Sequence, residues 1–177
     1  MSDQGRSRRH PRCQDLAVEP DLAGVVGRVQ CSLIGAGRLA VAFGGDPQSA
    51  LMLTLAARAL GHDHVSLLLD RPQRPAATDR AYAEGLAGEL GCDVLDTWLP
   101  KVERRRELAD LPIDAVAYVE GVDAGVVGRA PVRPVGAYRV IYPFAEAGLS
   151  SRDIARVACA FGLVTDELAA VGSASSR

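Results

Sequence analysis

The sequence predicts a single α/β domain of three layers, with a parallel sheet of about five strands and helices on both faces. Two observations carry that expectation. From Leu39 onward, short apolar runs of strand length alternate with longer stretches of helical period, the pattern of a parallel sheet covered on both sides. Glycine also follows each of the three longer helical patterns, at Gly61, Gly91 and Gly162, where a left-handed C-terminal residue is easiest for a residue without Cβ. With 177 residues, 48% of them hydrophobic, the chain has enough apolar surface for one sizeable core, and about 70% burial on folding is normal at this size. No internal repeat is visible.

The elements follow in order. Residues 1–20 are polar, charged and interrupted by Pro11 and Pro20, so they read as a disordered arm ahead of a folded domain over 21–177. The apolar run Leu39–Phe43, clearest at Val41–Phe43, is the first strand, and Gly44–Gln48 is a turn. A helix begins at or just after Ser49; Ala50–Leu60 is apolar almost all round, as a largely buried helix is. Val65–Leu69 is a continuous apolar strand ending at Asp70. Pro72 and Pro75 make 71–77 a loop, and Tyr82, Leu86 and Leu90 share one face of a helix over 78–90. Asp93–Leu95 is a short strand, Glu103–Leu108 a short helix with Arg104, Arg105 and Arg106 on its solvated turns, and Ala115–Val119 and Tyr138–Ile141 the last two strands. Ser150 and Asp153 form the start of a capping box for a helix reaching Phe161.

In such a sheet, ligands bind outside the C-terminal ends of the strands, which brings the 44–49 turn, Asp70 and the 121–128 loop to one edge. Strand, glycine turn and helix together aim backbone N–H groups and a positive helix end at an anion. Gly44 and Gly45 either cradle a phosphate or simply make the turn. Asp46 fits an N-terminal cap and would repel a phosphate unless a metal intervened; Pro47 removes a backbone donor. Ser49 fits either a cap or a phosphate donor. Lys101 is the only lysine among 20 basic residues, so arginine would have to supply the point charge that lysine gives many nucleotide sites.

At these residues the chain resembles the PP-loop ATPases, the adenine-nucleotide alpha-hydrolase superfamily, which carry Ser-Gly-Gly-x-Asp-Ser after a strand reading roughly Val-Ala-Phe. Here Val41-Ala42-Phe43 precedes Gly44-Gly45-Asp46-Pro47-Gln48-Ser49. Gly45 and Ser49 match; Gly44, Asp46 and Gln48 stand in place of Ser, Gly and Asp. A second stretch is similar to the ATP-dependent sacrificial sulfur transferases that make the nickel-pincer cofactor. Tyr142-Pro143-Phe144, Gly148-Leu149-Ser150-Ser151 and Gly162-Leu163 occupy the places of that family's Ser-Pro-Leu, Gly-Leu-Thr-Lys and terminal Gly-Leu, and Gly121-Val122-Asp123-Ala124 resembles its Gly-x-Asn/Asp segment. The likeness covers about residues 38 to 177. It departs at Ser173, where the family has its sulfur-donating cysteine, at Ser151 and Ala155 in place of a lysine and an arginine, and in lacking the family's C-terminal domain.

The resemblance implies an adenine-nucleotide alpha-hydrolase-like fold and a nucleotide as partner, with ATP and Mg2+ bound by Ala42, Phe43, Gly44, Gly45, Gln48, Ser49, Asp70, Gly121 and Asp123. It implies an ATP pyrophosphatase that forms an adenylate, with catalysis weakened or lost by the departures. The alternative is a non-catalytic domain that binds nucleotide weakly, forms a homo-oligomer or pairs with an intact relative. A lesser alternative comes from Gly35-Ala36-Gly37-Arg38-Leu39-Ala40, which fits the Gly-x-Gly-x-x-Ala form of a Rossmann dinucleotide fingerprint. That motif needs a long helix from about Gly37, which Gly44–Pro47 would break.

A net charge of −2 gives no reason to expect nucleic acid, and no apolar run approaches the length of a membrane span. Cys13, Cys31, Cys92 and Cys159 and the three histidines lack metal-ligand spacing, and the cysteines form no disulfide framework. Arg6, Arg8, Arg9 and Arg12 are followed by no apolar segment, unlike a secretory signal. The expectation is a reduced, cytoplasmic protein.

Overall fold

The computed structural model describes residues 22–69, 77–96, 108, 110–119 and 138–163. Five strands form one sheet: β1 (Leu39–Ala42), β2 (Val65–Leu69), β3 (Asp93–Asp96), β4 (Ala115–Ala117) and β5 (Arg139–Ile141). Their order is β3-β2-β1-β4-β5, with every pairing parallel. This is the sheet of about five parallel strands that the alternating pattern predicts. β1 is the central strand, and all four of its residues are buried, which explains why it reads as an unbroken apolar run rather than an alternating one.

Five labelled helices accompany the sheet: α1 (Leu22–Leu33), α2 (Pro47–Leu60), α3 (Ala77–Leu90), α4 (Pro143–Glu146) and α5 (Ser151–Ala160). Leu39, Val41, Phe43, Leu67 and Leu69 point to one face and join α1, α2, α3 and α5 in the main core. Ala40, Ala42, Leu68 and Val116 point to the other face and pack with Leu108, Ile113 and Tyr138; Leu108 is itself helical. The period of two along the strands thus splits the apolar residues between two layers. Fully burying a side chain such as Phe43 or Leu67 is worth about 1.5–3 kcal/mol.

The connections run outward in two directions from β1. β1 reaches β2 through α2, and β2 reaches β3 through α3; β4 and β5 lie on the opposite side of β1. The direction therefore reverses between β1 and β4, which makes their C-terminal ends a topological switch point.

Several boundaries differ from the sequence expectation. α1 was not foreseen, although Leu22, Val25, Val26, Val29 and Leu33 recur at helical spacing and pack into the main core. Gly24 and Gly27, poor helix residues, interrupt the visible pattern. α2 starts at Pro47, ahead of Ser49, because Asp46 caps it and proline occupies its first turn. Gly61 does end α2 with positive φ, but at φ 87 and ψ 147 it is extended and not left-handed helical. β4 stops at Ala117, two residues short of Val119, although the Tyr118 N–H continues the ladder to Ile141 O at 3.0 Å.

The Rossmann alternative fails on placement. Gly35 (φ +83) and Gly37 (φ +74) form the passage from α1 into β1, at the N-terminal edge of the sheet, and a strand starts at Leu39 where that motif needs a helix. Gly37 is required for a different reason: Asp114 Oδ2 accepts from the Arg38 N–H at 2.8 Å, and a Cβ on Gly37 would collide with that carboxylate. Among the described cysteines, Cys31 is exposed and Cys92 buried, and both are free thiols.

Among the described residues no helix is long and apolar enough to cross a membrane. The arm over 1–20, most of the helix expected over 103–108, and the loops over 71–76 and 121–128 lie outside the described residues.

Candidate functional site

β1 delivers the chain to the switch point. The Phe43 N–H donates to Leu68 O at 2.8 Å, a last rung of the β1–β2 ladder, and the chain then turns through Gly44 and Gly45, the latter at φ +83. Asp46 is extended (φ −97, ψ 159) and caps α2.

The donors at this helix end are already engaged. Asp46 Oδ1 accepts from the Gln48 N–H at 3.0 Å and the Ser49 N–H at 2.9 Å. The Ser49 hydroxyl, on a fully buried residue, lies 2.9 Å from Asp46 O and 3.1 Å from Asp46 Oδ2, and Ser49 Oγ accepts from the Gly44 N–H at 3.3 Å. The Ala50 N–H donates to Asp46 O at 3.2 Å, and Pro47 has no N–H to offer. A Cβ on Gly44 would stand 2.6 Å from Asp46 Oδ2, so the carboxylate occupies the space that glycine leaves. Asp46 is thus the cap that the sequence allowed. Ser49 sits at the third helical position, tying both arms of the turn together.

Aromatic rings border this region. Phe43 and Tyr82 of α3 have ring centroids 5.8 Å apart. Burial raises the Tyr82 hydroxyl above its ordinary pKa, and the Asp46 and Glu89 carboxylates add to the shift, so this phenol belongs to the electrostatic surroundings of the turn. The spacing of Tyr82 places it on one face of a helix, and nothing in the sequence marks it as a neighbour of Phe43. Tyr118 follows β4 and Tyr142 follows β5, with ring centroids 6.3 Å apart. Since Val41 pairs with Ala117, Tyr118 lies beside the Ala42–Phe43 end of β1. Asp96 ends β3 on the same edge and binds Arg80 Nη1 at 2.7 Å, and Arg80 also binds Glu84 at 2.8 Å.

The fold therefore gathers Ala42, Phe43, Gly44, Gly45, Gln48 and Ser49 at the switch point. Asp70, Gly121 and Asp123 lie outside the described residues, as does Ser173. Ser151 and Ala155 fall in the first half of α5, where Ser150 and Asp153 make the expected capping box. Ser150 Oγ accepts from the Asp153 N–H at 3.2 Å, and Asp153 Oδ2 accepts from the Ser150 N–H at 3.0 Å. A cavity of about 220 Å³ lined by Arg38, His64, Ser66 and Asp93 opens at the start of β1, β2 and β3, at the other edge of the sheet.

In the turn as it stands Asp46 holds the Gln48 and Ser49 N–H groups, and the phosphates of a nucleotide triphosphate brought to them would set negative charge against that carboxylate. Magnesium bound through a carboxylate would have to draw Asp46 away from its donors, and Gln48 has no charge to offer in its place. Among the described residues no group of three or more His, Cys, Asp or Glu side chains is arranged to hold a metal ion.

The architecture is an α/β domain on an all-parallel five-stranded sheet in the order β3-β2-β1-β4-β5. Among solved structures the chain is similar to the NH3-dependent NAD synthetase from Campylobacter jejuni subsp. jejuni NCTC 11168, described in complex with the nitrate ion. The superposition has a TM-score of 0.61 at 16% identity and covers 86% of this chain and 78% of that one. At that identity the likeness is one of fold. No protein-family model matches the chain, and no curated protein matches it either.

Proposed function

We propose that the chain is a PP-loop-type domain that binds an adenine nucleotide at the C-terminal ends of β1 and β4 and has weak or no ATP pyrophosphatase activity. The fold supports the first half: a strand, a glycine turn and a buried helix meet at the switch point of a β3-β2-β1-β4-β5 sheet, and NAD synthetase shares the architecture. One observation carries the second half, the Asp46 carboxylate seated on the Gln48 and Ser49 N–H groups. Adenylate formation relies on positioning and on charge stabilisation at the phosphates, and a turn closed on its own carboxylate provides neither.

Ser151 and Ala155, in place of the family's two cations, remove further charge-assisted contacts, each worth about 1.5–3 kcal/mol. Two such losses slow a step that depends on them by about 10² to 10⁴-fold. The test is a titration with ATP, with and without magnesium, beside ATP–pyrophosphate exchange. Weak binding with no exchange is expected. Exchange at the rate of an intact PP-loop enzyme would refute the loss of catalysis, and no binding of any adenine nucleoside or nucleotide would refute the nucleotide site.

A further inference from the structure

We propose that the cavity at the start of β1, β2 and β3 is a second binding site, for a free α-amino acid with an aliphatic side chain. It lies at the sheet edge opposite the proposed nucleotide site and does not depend on that reading. The cavity measures about 220 Å³, below the roughly 300–1,000 Å³ of pockets that enclose drug-sized ligands. That suits a single amino acid and not a nucleotide.

The strand register makes the site. Ser66 pairs with Ala40 of β1 and with Asp93 of β3, and residues two apart along a strand share a face. Ser66, Asp93 and Leu95 therefore stand on the sheet face that Ile113 and Tyr138 cover. Arg38 and His64 sit side by side just ahead of the Leu39–Val65 pair, and the 111–113 segment completes the wall. Ser66 is half-buried and is the one polar residue in β2.

The polar groups are of both signs and uncommitted. Among the described residues the side chains of Arg38, His64, Ser66 and Asp93 make no hydrogen bond or ion pair, whereas Asp63, also on the wall, binds His62 at 3.2 Å. Arg38 and Asp93 thus border one cavity with space between their opposite charges, which suits a ligand carrying both. A guanidinium offers a carboxylate two parallel donors, and His64 adds a ring N–H. The Asp93 carboxylate and the Ser66 hydroxyl accept from an ammonium. Leu95 and the 111–113 segment take an aliphatic side chain out of water. A phosphate would meet Asp63 and Asp93, and a metal ion would meet Arg38, so neither matches the wall.

The experiment is amide chemical-shift titration of the full chain with L-leucine, glycine, N-acetyl-L-leucine and L-leucinamide, repeated on R38Q and D93N. Both positions are exposed, and thermal unfolding confirms that each variant is folded. Leucine is expected to saturate at millimolar concentration or below, with shifts at Ser66, Asp93, Leu95 and Ile113. Acetylation removes the ammonium charge and amidation the carboxylate. Each blocked analogue, and each substitution, should weaken binding by about tenfold or more, the scale of one charge-assisted contact. Glycine should bind weaker by about tenfold or more, for want of an apolar side chain. R38Q should abolish the preference for leucine over leucinamide, and D93N that over N-acetyl-leucine, a pattern that mere loss of stability does not produce.

Leucine shifts that fail to saturate at tens of millimolar, or that centre on the ends of β1 and β4, overturn the proposal. So do blocked analogues that bind as tightly as leucine, or unchanged leucine affinity in both variants. If a variant does not fold, the analogues on the wild type decide alone.

Discussion

Ser49 shows how much one buried hydroxyl holds in place. It bridges the Gly44 N–H, Asp46 O and Asp46 Oδ2 inside the turn. Ser49→Ala should lower stability by about 1–3 kcal/mol, the penalty for stranding buried polar groups, read as a shift in the urea midpoint at unchanged slope. Gly37→Ala should cost a similar amount, about 1–3 kcal/mol for a side chain forced into positive φ, with the added collision against Asp114; the Asp114→Ala background should recover part of it. The sequence carried both glycine pairs plainly but left their purposes open. Gly35 and Gly37 fit a dinucleotide fingerprint in letters alone, and only their position ahead of β1 shows them to be a helix-to-strand passage. Asp46 was legible as a cap from its chemistry. That its carboxylate takes both the Gln48 and Ser49 donors depends on the rotamer that packing selects, which no spacing rule contains.

Among the elements, α2 and α5 were readable because their ends carry strong local chemistry. Glycine after the last turn bounds α2, whose start lies at Pro47, ahead of the Ser49 expected from the sequence, and Ser150 with Asp153 opens α5. α1 has neither signal, and its glycines masked a period that packing against α2, α4 and α5 makes helical. The α5 cap also has a pH signature. Hydrogen bonds from the Ser150 hydroxyl and N–H hold the Asp153 carboxyl below the ordinary carboxylate range, with Arg156 and Arg28 adding to the effect against the opposing influence of burial. A carboxyl lowered in the folded state stabilises the fold in full above the unfolded value of about 3.9, and loses that contribution as the pH falls through the folded value. Wild type should therefore unfold at a higher temperature than D153N at neutral pH, with the difference shrinking as the pH falls below the unfolded carboxyl value. A difference independent of pH would show that the carboxylate's charge contributes nothing. Ser150→Ala should cost about 1 kcal/mol and reduce the pH-dependent part.

Across the whole molecule, the sheet was the most legible feature, since its three central strands, β2, β1 and β4, are buried almost throughout and leave apolar runs that survive any uncertainty at their ends. The strand order was not visible in the sequence: placing β4 beside β1 depends on crossover geometry and on pairing between residues some 75 apart. That order creates the switch point and so decides where a ligand would lie. The central claim of the proposed function is that an adenine nucleotide binds there weakly, with the α2 terminus closed on Asp46. Amide chemical-shift mapping with adenosine and then ATP tests it most directly. The account predicts that both ligands shift the amides at the ends of β1 and β4, Ala42, Phe43, Tyr118 and Val119, and that ATP adds no large shift at Gln48 and Ser49. Shifts centred on Gln48 and Ser49 with ATP, or shifts confined to the Gly35–Gly37 edge, would contradict it.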